Sequence, residues 1–153
     1  MTSAQLDAMI EQAARGRPFV CGTPLGKKPS YFIYGDVCTE RDLVVGKPFS
    51  GPLADLLASV FMTIKAQPEE CYVTYLVKAH YPQGTLTEKE IEDSWLPIVR
   101  HEYVLSGCKN VVAVGKIARL YAGHVQVRPA ELPTPYRPGI LSRVVSAWRN
   151  LTA

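Results

Sequence analysis

Three short, almost wholly apolar runs, separated by longer segments of helical periodicity, constrain the fold of this chain most. The runs lie at residues 31–34, 71–77 and 110–114, and they favour strands that are buried on both faces. A last strand is predicted at residues 124–127. The sequence therefore predicts an α/β three-layer sandwich with a central, mainly parallel four-stranded sheet flanked by helices. Helical spacing of apolar residues marks the other segments, at residues 5–14, 52–64, 87–99, 116–121 and 140–151.

Length and composition favour one intracellular domain. A chain of 153 residues with 47% hydrophobic and 20% charged residues has an ordinary single-domain size, so we expect residues 1–153 to form one unit. It has no signal-peptide pattern and no apolar stretch of the ~20 residues that span a bilayer. We therefore expect a cytoplasmic or nucleoid-associated protein with no membrane partner. The formal charge of +3 permits DNA binding without indicating it.

The four cysteines are far apart in the sequence. Cys21, Cys38, Cys71 and Cys108 include no C-x-x-C pair, which is the usual mark of a zinc or redox site. We expect reduced thiols, mostly buried, with no bound metal and no cofactor.

A ligand site is expected at one edge of the predicted sheet. In open α/β sheets, ligands bind beyond the carboxyl ends of the parallel strands. Gly35 and Asp36 follow the first predicted strand, Lys78 follows the second, and residues 134–143 form a Pro-rich segment after the last. The sequence therefore predicts that these residues lie together at the carboxyl ends of the strands, which we call the carboxyl rim.

Four separated blocks, in this order, resemble motifs of the family 4 branch of the uracil-DNA glycosylases. GKPFSGPLADLL at residues 46–57 is similar to G-R-P-F-V-G-x-A-G-x-L-L, and YVTYLVK at 72–78 is similar to Y-I-T-N-V-V-K. VVAVGKIA at 111–118 resembles V-I-V-A-L-G-x-x-A, and PYRPGILSR at 135–143 resembles T-Y-H-P-S-x-L-L-R. The resemblance implies a glycosylase-like fold that binds DNA and turns one nucleotide into a pocket at the rim.

The resemblance assigns the base pocket to Gly35, Phe49 and Tyr75. Phe49 stands where the family places the ring that stacks on the extruded base, although a core phenylalanine is the alternative. Tyr75 stands where the family has an asparagine that pairs with uracil, and a phenol lacks that paired donor and acceptor. Ordinary recognition of uracil is then not expected, and the pocket would have to be altered to accept uracil or a modified pyrimidine.

Two further positions carry the chemistry that the resemblance implies. Asp36 takes the place of a carboxylate that stabilises positive charge on the sugar or orients water. Its alternative role is to cap the following turn. Arg137 replaces a histidine that stabilises charge on the departing base, and it is a permanent cation that cannot exchange a proton.

The resemblance assigns the remaining positions to DNA binding. Ile140 and Leu141 resemble an apolar wedge that holds a duplex open, or else begin the core face of a terminal helix. Lys78 and Arg143, with Arg137, are candidate phosphate contacts. Family 4 members hold an iron–sulfur cluster through four cysteines, but here Ala79 replaces one and the early pair is absent, so no cluster is expected.

Two functions fit this sequence. The first is a DNA glycosylase, or a related base-processing enzyme, with altered catalytic motifs and a pocket for uracil or a modified pyrimidine. The second is a catalytically inactive module on the same fold, which binds duplex or single-stranded DNA or a protein partner. Phe49 and Asp36 favour the first hypothesis, whereas Tyr75 and Arg137 favour the second.

Overall fold

The computed structural model describes residues 2–126, and the chain forms an α/β fold around a four-stranded sheet. The strand order is β1-β3-β2-β4, with β3, β2 and β4 mutually parallel and β1 antiparallel at one edge. The predicted α/β class and the mainly parallel sheet are therefore confirmed, and helices on both faces are compatible with a three-layer sandwich. The strands are β1 (Thr23–Pro24), β2 (Tyr31–Val37), β3 (Cys71–Val77) and β4 (Asn110–Ala113).

The helices alternate with the strands along the chain. A short 3₁₀ helix at Pro68–Glu70 precedes β3, and a π-helical segment at Ile91–Trp95 joins two α-helical segments. No helix of the described residues is long and apolar enough to cross a membrane. The α-helices are α1 (Ser3–Ala14), α2 (Glu40–Val45), α3 (Pro52–Ile64), α4 (Glu88–Glu90), α5 (Leu96–Ser106), α6 (Lys116–Leu120) and α7 (Ala122–Val125).

The two faces of the sheet belong to two hydrophobic clusters. On what we call the α5 face, Phe32, Tyr34 and Leu76 pack with α1, α5, α6 and α7. On the α3 face, the alternate residues Ile33 and Val73 pack with α2 and α3. Successive strand residues point to opposite faces, which is why wholly apolar runs are needed when helices cover both.

Several boundaries differ from the sequence predictions. Strand β2 continues through Gly35 and Asp36, which were predicted to open a loop, because it pairs with β3 as far as Val37↔Val77. The prediction of a strand at residues 124–127 is wrong for its described part, since Ala122–Val125 is helical, and residue 127 lies outside the described residues. The fourth strand is instead the two-residue β1, which pairs with Tyr72 and Val73.

The helical segment after residue 87 runs through a proline. Thr87 begins it by accepting a hydrogen bond from the Glu90 amide through its side chain, at 3.2 Å. The segment becomes π-helical just before Pro97, at Ile91–Trp95. Pro97 then lies in the first turn of α5, where a helix tolerates the missing N–H of a proline best.

Candidate functional site

A stacked pair of aromatic rings occupies the position where the sequence predicts a base pocket. The Phe49 and Tyr75 rings lie 5.0 Å apart between centroids, with an angle of 23° between their planes. Both are buried in the cluster on the α3 face, with exposed fractions of 5% and 2%. Phe49 therefore does stack on a flat ring, but that ring belongs to the protein itself.

The loop that carries Phe49 is fixed by buried hydrogen bonds. The Phe49 amide donates to the Tyr75 hydroxyl at 2.9 Å, and the Ser50 amide donates to Asp42 Oδ1 at 2.9 Å. Asp42 is fully buried and also accepts the backbone and side-chain bonds of Thr39, which cap α2. These contacts hold Phe49 at φ 57°, a left-handed conformation that a phenylalanine rarely adopts.

Gly35 allows the ring pair to approach the sheet. A Cβ atom at Gly35 would lie 2.9 Å from Phe49 Cζ and 3.0 Å from the Tyr75 ring, closer than carbon atoms pack. The space in front of Gly35 is thus filled by the two rings. The three residues assigned to a base pocket are brought together, as one packed unit.

Burial keeps the phenol of Tyr75 neutral. It raises the pKa of Tyr75 well above its ordinary value, and a hydrogen bond to the Asp42 carboxylate acts in the same direction. Burial likewise raises the pKa of the nearby Cys38 thiol to about 12. A neutral, hydrogen-bonded phenol and a protonated thiol offer no nucleophile here.

Asp36 is turned toward the other face of the sheet. Its Oδ1 accepts a hydrogen bond from the Ala118 amide at 2.7 Å, in the first turn of α6. Gly115 leaves room for this carboxylate, because a Cβ there would lie 2.5 Å from Asp36 Oδ1. Asp36 thus bonds to the first turn of α6, a helix 82 residues further along the chain, and not to the following turn that its alternative role named.

Two opposing effects act on the Asp36 carboxyl. Partial burial raises its pKa, while hydrogen bonds from the amides of Ala118 and Ile117 and the nearby Arg119 cation lower it. Burial is the larger effect, so the net pKa lies above the ordinary value. Because Asp36 bonds to α6 on the α5 face, it is separated by the sheet from the rings of Phe49 and Tyr75.

The structure buries Lys78, which the sequence placed among the phosphate contacts. Its side chain is 0% exposed and its ammonium lies 2.8 Å from Glu102 Oε1, with a second bond to the Tyr75 carbonyl at 2.7 Å. Glu102 also accepts from the hydroxyls of Tyr72, at 2.6 Å, and Thr74, at 3.1 Å. An ammonium held in this way does not reach a phosphate on the surface, so the assignment is corrected to a structural ion pair.

The other rim assignments lie beyond the part of the chain that the structure describes. Arg137, the candidate catalytic cation, and Ile140, Leu141 and Arg143, the candidate DNA contacts, all fall in residues 127–153. Their roles stay predictions. That segment has four arginines and one glutamate, so the formal charge of +3 resides there.

The described residues offer other cations at the carboxyl rim. Arg41 and Lys47 follow β2, Lys116 and Arg119 follow β4, and all four are exposed. Arg41 packs its side chain against Gly51, and the Lys47 carbonyl accepts the Ser50 hydroxyl, which ties both to the Phe49 loop. Exposed cations are thus present at the carboxyl rim, where the sequence predicts DNA contacts. They are not the residues that were predicted to make those contacts.

No group of three or more metal-ligating side chains is found within residues 2–126. The cysteines are free, with Cys38, Cys71 and Cys108 buried and Cys21 exposed. Burial raises the pKa of Cys71 to about 11, so this thiol is protonated at neutral pH.

Comparison with known proteins does not assign the chain to a family. No protein-family model matches it, and no curated protein is significantly similar in sequence.

Two residues that make the buried hydrogen bonds described above, Asp42 and Glu102, were not singled out from the sequence. Asp42 forms a capping box with Thr39, and this S/T-x-x-D spacing is a visible signal of a helix start. Glu102 follows Trp95, Ile98 and Val99 at helical spacing, so it occupies a core-facing position of α5. A charge at such a position indicates a buried ionic partner.

Proposed function

We propose that this protein is a DNA-binding module with a uracil-DNA glycosylase-like fold and no base-releasing activity. The observation that carries the proposal is the stack of Tyr75 on Phe49, because it fills the space that a flipped base needs. Flipping would require Tyr75 to leave a site where it is 2% exposed and hydrogen-bonded to the Phe49 amide.

The chemistry supports the same conclusion. Asp36 is engaged as the cap of α6 and faces away from the ring pair, so it is not placed to act on a nucleotide held against Phe49. Release of a base needs the carboxylate, the sugar and the stacking ring on one side of the pocket. The second of the two functions compatible with the sequence is therefore the better supported one.

DNA is the proposed partner because of the motif resemblance and the cations at the carboxyl rim. Arg41, Lys47, Lys116 and Arg119 are exposed there, and residues 127–153 add the net positive charge of the chain. Contacts of this kind act through phosphates and give salt-dependent binding without base preference.

Fluorescence anisotropy with labelled duplexes, with and without one uracil, tests the binding. Wild-type protein should bind both duplexes equally, with an affinity that falls as salt rises. A rim variant, Lys47→Ala with Lys116→Ala, should weaken binding on every sequence and reduce the salt slope by about 1 for each phosphate that is no longer bound. Arg137→Ala with Arg143→Ala should have the same effect.

The matched control is Lys65→Ala with Lys109→Ala, which removes the same charge at exposed positions near the amino ends of β3 and β4. Equal loss of affinity in both double variants would show a non-specific charge effect and contradict a rim site. An assay for base release on uracil-containing DNA completes the test. Release by the wild type would overturn the proposal in favour of a glycosylase.

A further inference from the structure

A cavity opens at the end of the sheet opposite the carboxyl rim. It lies between the first turns of α1, the end of α5 and the residues around β1, and its volume is about 340 Å³. This volume is at the lower end of the range of small-molecule sites, so the cavity suits a small molecule rather than a peptide or a nucleic acid. Its apolar walls are formed by Leu6, Pro24, Pro29 and Leu105.

A buried polar network reaches this cavity. Glu102 and Tyr72 both line it, and the Tyr72 hydroxyl donates to Glu102 Oε2 at 2.6 Å. Glu102 Oε1 is held by the Lys78 ammonium at 2.8 Å and by the Thr74 hydroxyl at 3.1 Å. Glu102 is 2% exposed, and these bonds fix its carboxylate from the protein side before any ligand binds.

The hydroxyl donors deep in the cavity are already used within the protein. Burial and the neighbouring Glu102 carboxylate raise the pKa of Tyr72 well above its ordinary value, so its hydroxyl keeps the proton that it donates. The Ser106 hydroxyl, which also lines the cavity, donates to the Tyr103 carbonyl at 2.6 Å. What remains are the lone pairs of the Tyr72 oxygen and of Glu102 Oε2, since each of these oxygens can accept a further hydrogen bond. A ligand must therefore supply the donors.

The ligand group that fits such acceptors is an ammonium, because it carries three donors and no acceptor. Asp7, an exposed residue of the lining, adds a carboxylate that favours a cation. Lys27 is the one cation among the described residues that line the cavity, and it is exposed, where water and salt weaken its repulsion. The Lys78 charge is balanced by Glu102.

We propose that this cavity binds a small organic cation, a primary ammonium on a short apolar body. The ammonium donates to Glu102 Oε2 and to the Tyr72 oxygen, and the apolar body lies against Leu6 and Leu105. The site is at the opposite end of the sheet from the proposed DNA contacts, so the inference does not depend on them.

Three phenyl compounds of similar shape separate charge from shape as the basis of binding. Phenethylamine is the cation, phenethyl alcohol its neutral counterpart and hydrocinnamate the anion. Amide NMR of the isotope-labelled full-length protein should show shifts at Tyr72, Glu102 and Leu105 with the amine, with a dissociation constant below about 1 mM. The alcohol should bind about tenfold more weakly because it lacks the charge-assisted hydrogen bonds, and hydrocinnamate should not shift these amides.

Two matched pairs of variants test where the amine binds. Asp7→Asn should weaken its binding about threefold, whereas Glu11→Gln, one turn further along α1 at an exposed position that does not line the cavity, should leave it unchanged. Leu105→Trp should block the cavity. Val104→Trp adds the same ring at the neighbouring exposed position, which does not line the cavity, and should leave binding intact. Unchanged amide shifts elsewhere in the protein verify that each variant is folded.

Absence of shifts at Tyr72, Glu102 and Leu105 with the amine at about 10 mM would overturn the proposal. Equal binding of the amine and the alcohol would also overturn it, because the cavity would then recognise shape and not charge. Tighter binding of hydrocinnamate than of the amine would show an anion site at Lys27 instead. Equal loss in Asp7→Asn and Glu11→Gln would reduce the effect to general attraction of a cation to the surface of α1.

Discussion

The two faces of the sheet differ in what their helices bury. On the α5 face, α1 and α5 bury apolar side chains completely, and the charged pair Lys78–Glu102 is enclosed with its hydrogen bonds satisfied. On the α3 face, the long helix α3 buries no residue completely, and the candidate site depends on one strained loop over Tyr75.

The two faces are therefore expected to differ in how much free energy a substitution or a local opening costs. A buried, fully bonded ion pair fixes the relative position of α5 and β3, because removing either partner leaves a charge without water. A helix with half-buried residues belongs to the less stable part of a domain, where local opening costs least. We therefore expect the α5 face to set global stability and the α3 face to open locally at a lower cost.

The largest effect is expected at the ion pair. Lys78→Met should lower the free energy of unfolding by about 3–5 kcal/mol, because Glu102 keeps a buried charge without its cation. Urea unfolding measures this. The double variant Lys78→Met with Glu102→Gln should recover part of the stability, and Lys109→Met at the surface should change it very little. A loss of less than about 1 kcal/mol in Lys78→Met would show that the ion pair does not make the α5 face more stable than the α3 face.

A smaller effect is expected at the ring pair. Tyr75→Phe keeps the stack but leaves the Phe49 amide without its acceptor and removes one of the hydrogen bonds to Asp42, which should cost about 1–3 kcal/mol in urea unfolding. Amide hydrogen exchange gives a residue-level measurement, since protection of the Phe49 amide should fall while protection in β3 is kept. Unchanged exchange at Phe49 would show that the hydroxyl does not hold the loop.

The smallest effect is expected at Asp36. Because burial raises its pKa, the folded protein holds this proton to a higher pH than the unfolded chain does. The resulting stability is present below the ordinary aspartate range and is lost as pH rises through the raised pKa. The difference in unfolding free energy between wild type and Asp36→Asn should therefore decrease as pH rises from about 3.5 toward neutral.

Unfolding of both proteins across that pH range checks the sign. An increase of the difference with pH would mean that the bonds from Ala118 and Ile117 outweigh burial, so that the carboxylate is held ionised. Asp36 would then be available as a charge at the rim, which would strengthen the enzyme hypothesis.

Much of the fold was predictable because its signals are local. The predicted bounds of α3 at 52–64 and of β3 at 71–77 match the structure, since helical periodicity and an apolar run end there at turn-forming residues. The misassigned segment at 124–127 is short and weakly patterned. In such segments contacts with other elements decide the conformation, and α7 packs on α5 and β4.

The candidate site was predictable only as a set of positions. Gly35, Phe49 and Tyr75 do meet, as the order of motifs implied, but the sequence does not state that Tyr75 fills the space against Phe49. The sequence also does not show on which face of the sheet a residue at the carboxyl rim lies. Asp36 faces α6 because a strand pairing that continues to Val37 fixes its direction.

The order of buried strands and helices is already present in the amino-acid pattern, since burial on two faces requires apolar runs and each helix needs its own period. Which charged residues become buried depends on the folded chain. Lys78 is buried because Glu102, on a helix that starts well after β3, lies opposite it with Tyr72 and Thr74. Such partners are set by long-range packing, and a lysine without them would remain in water.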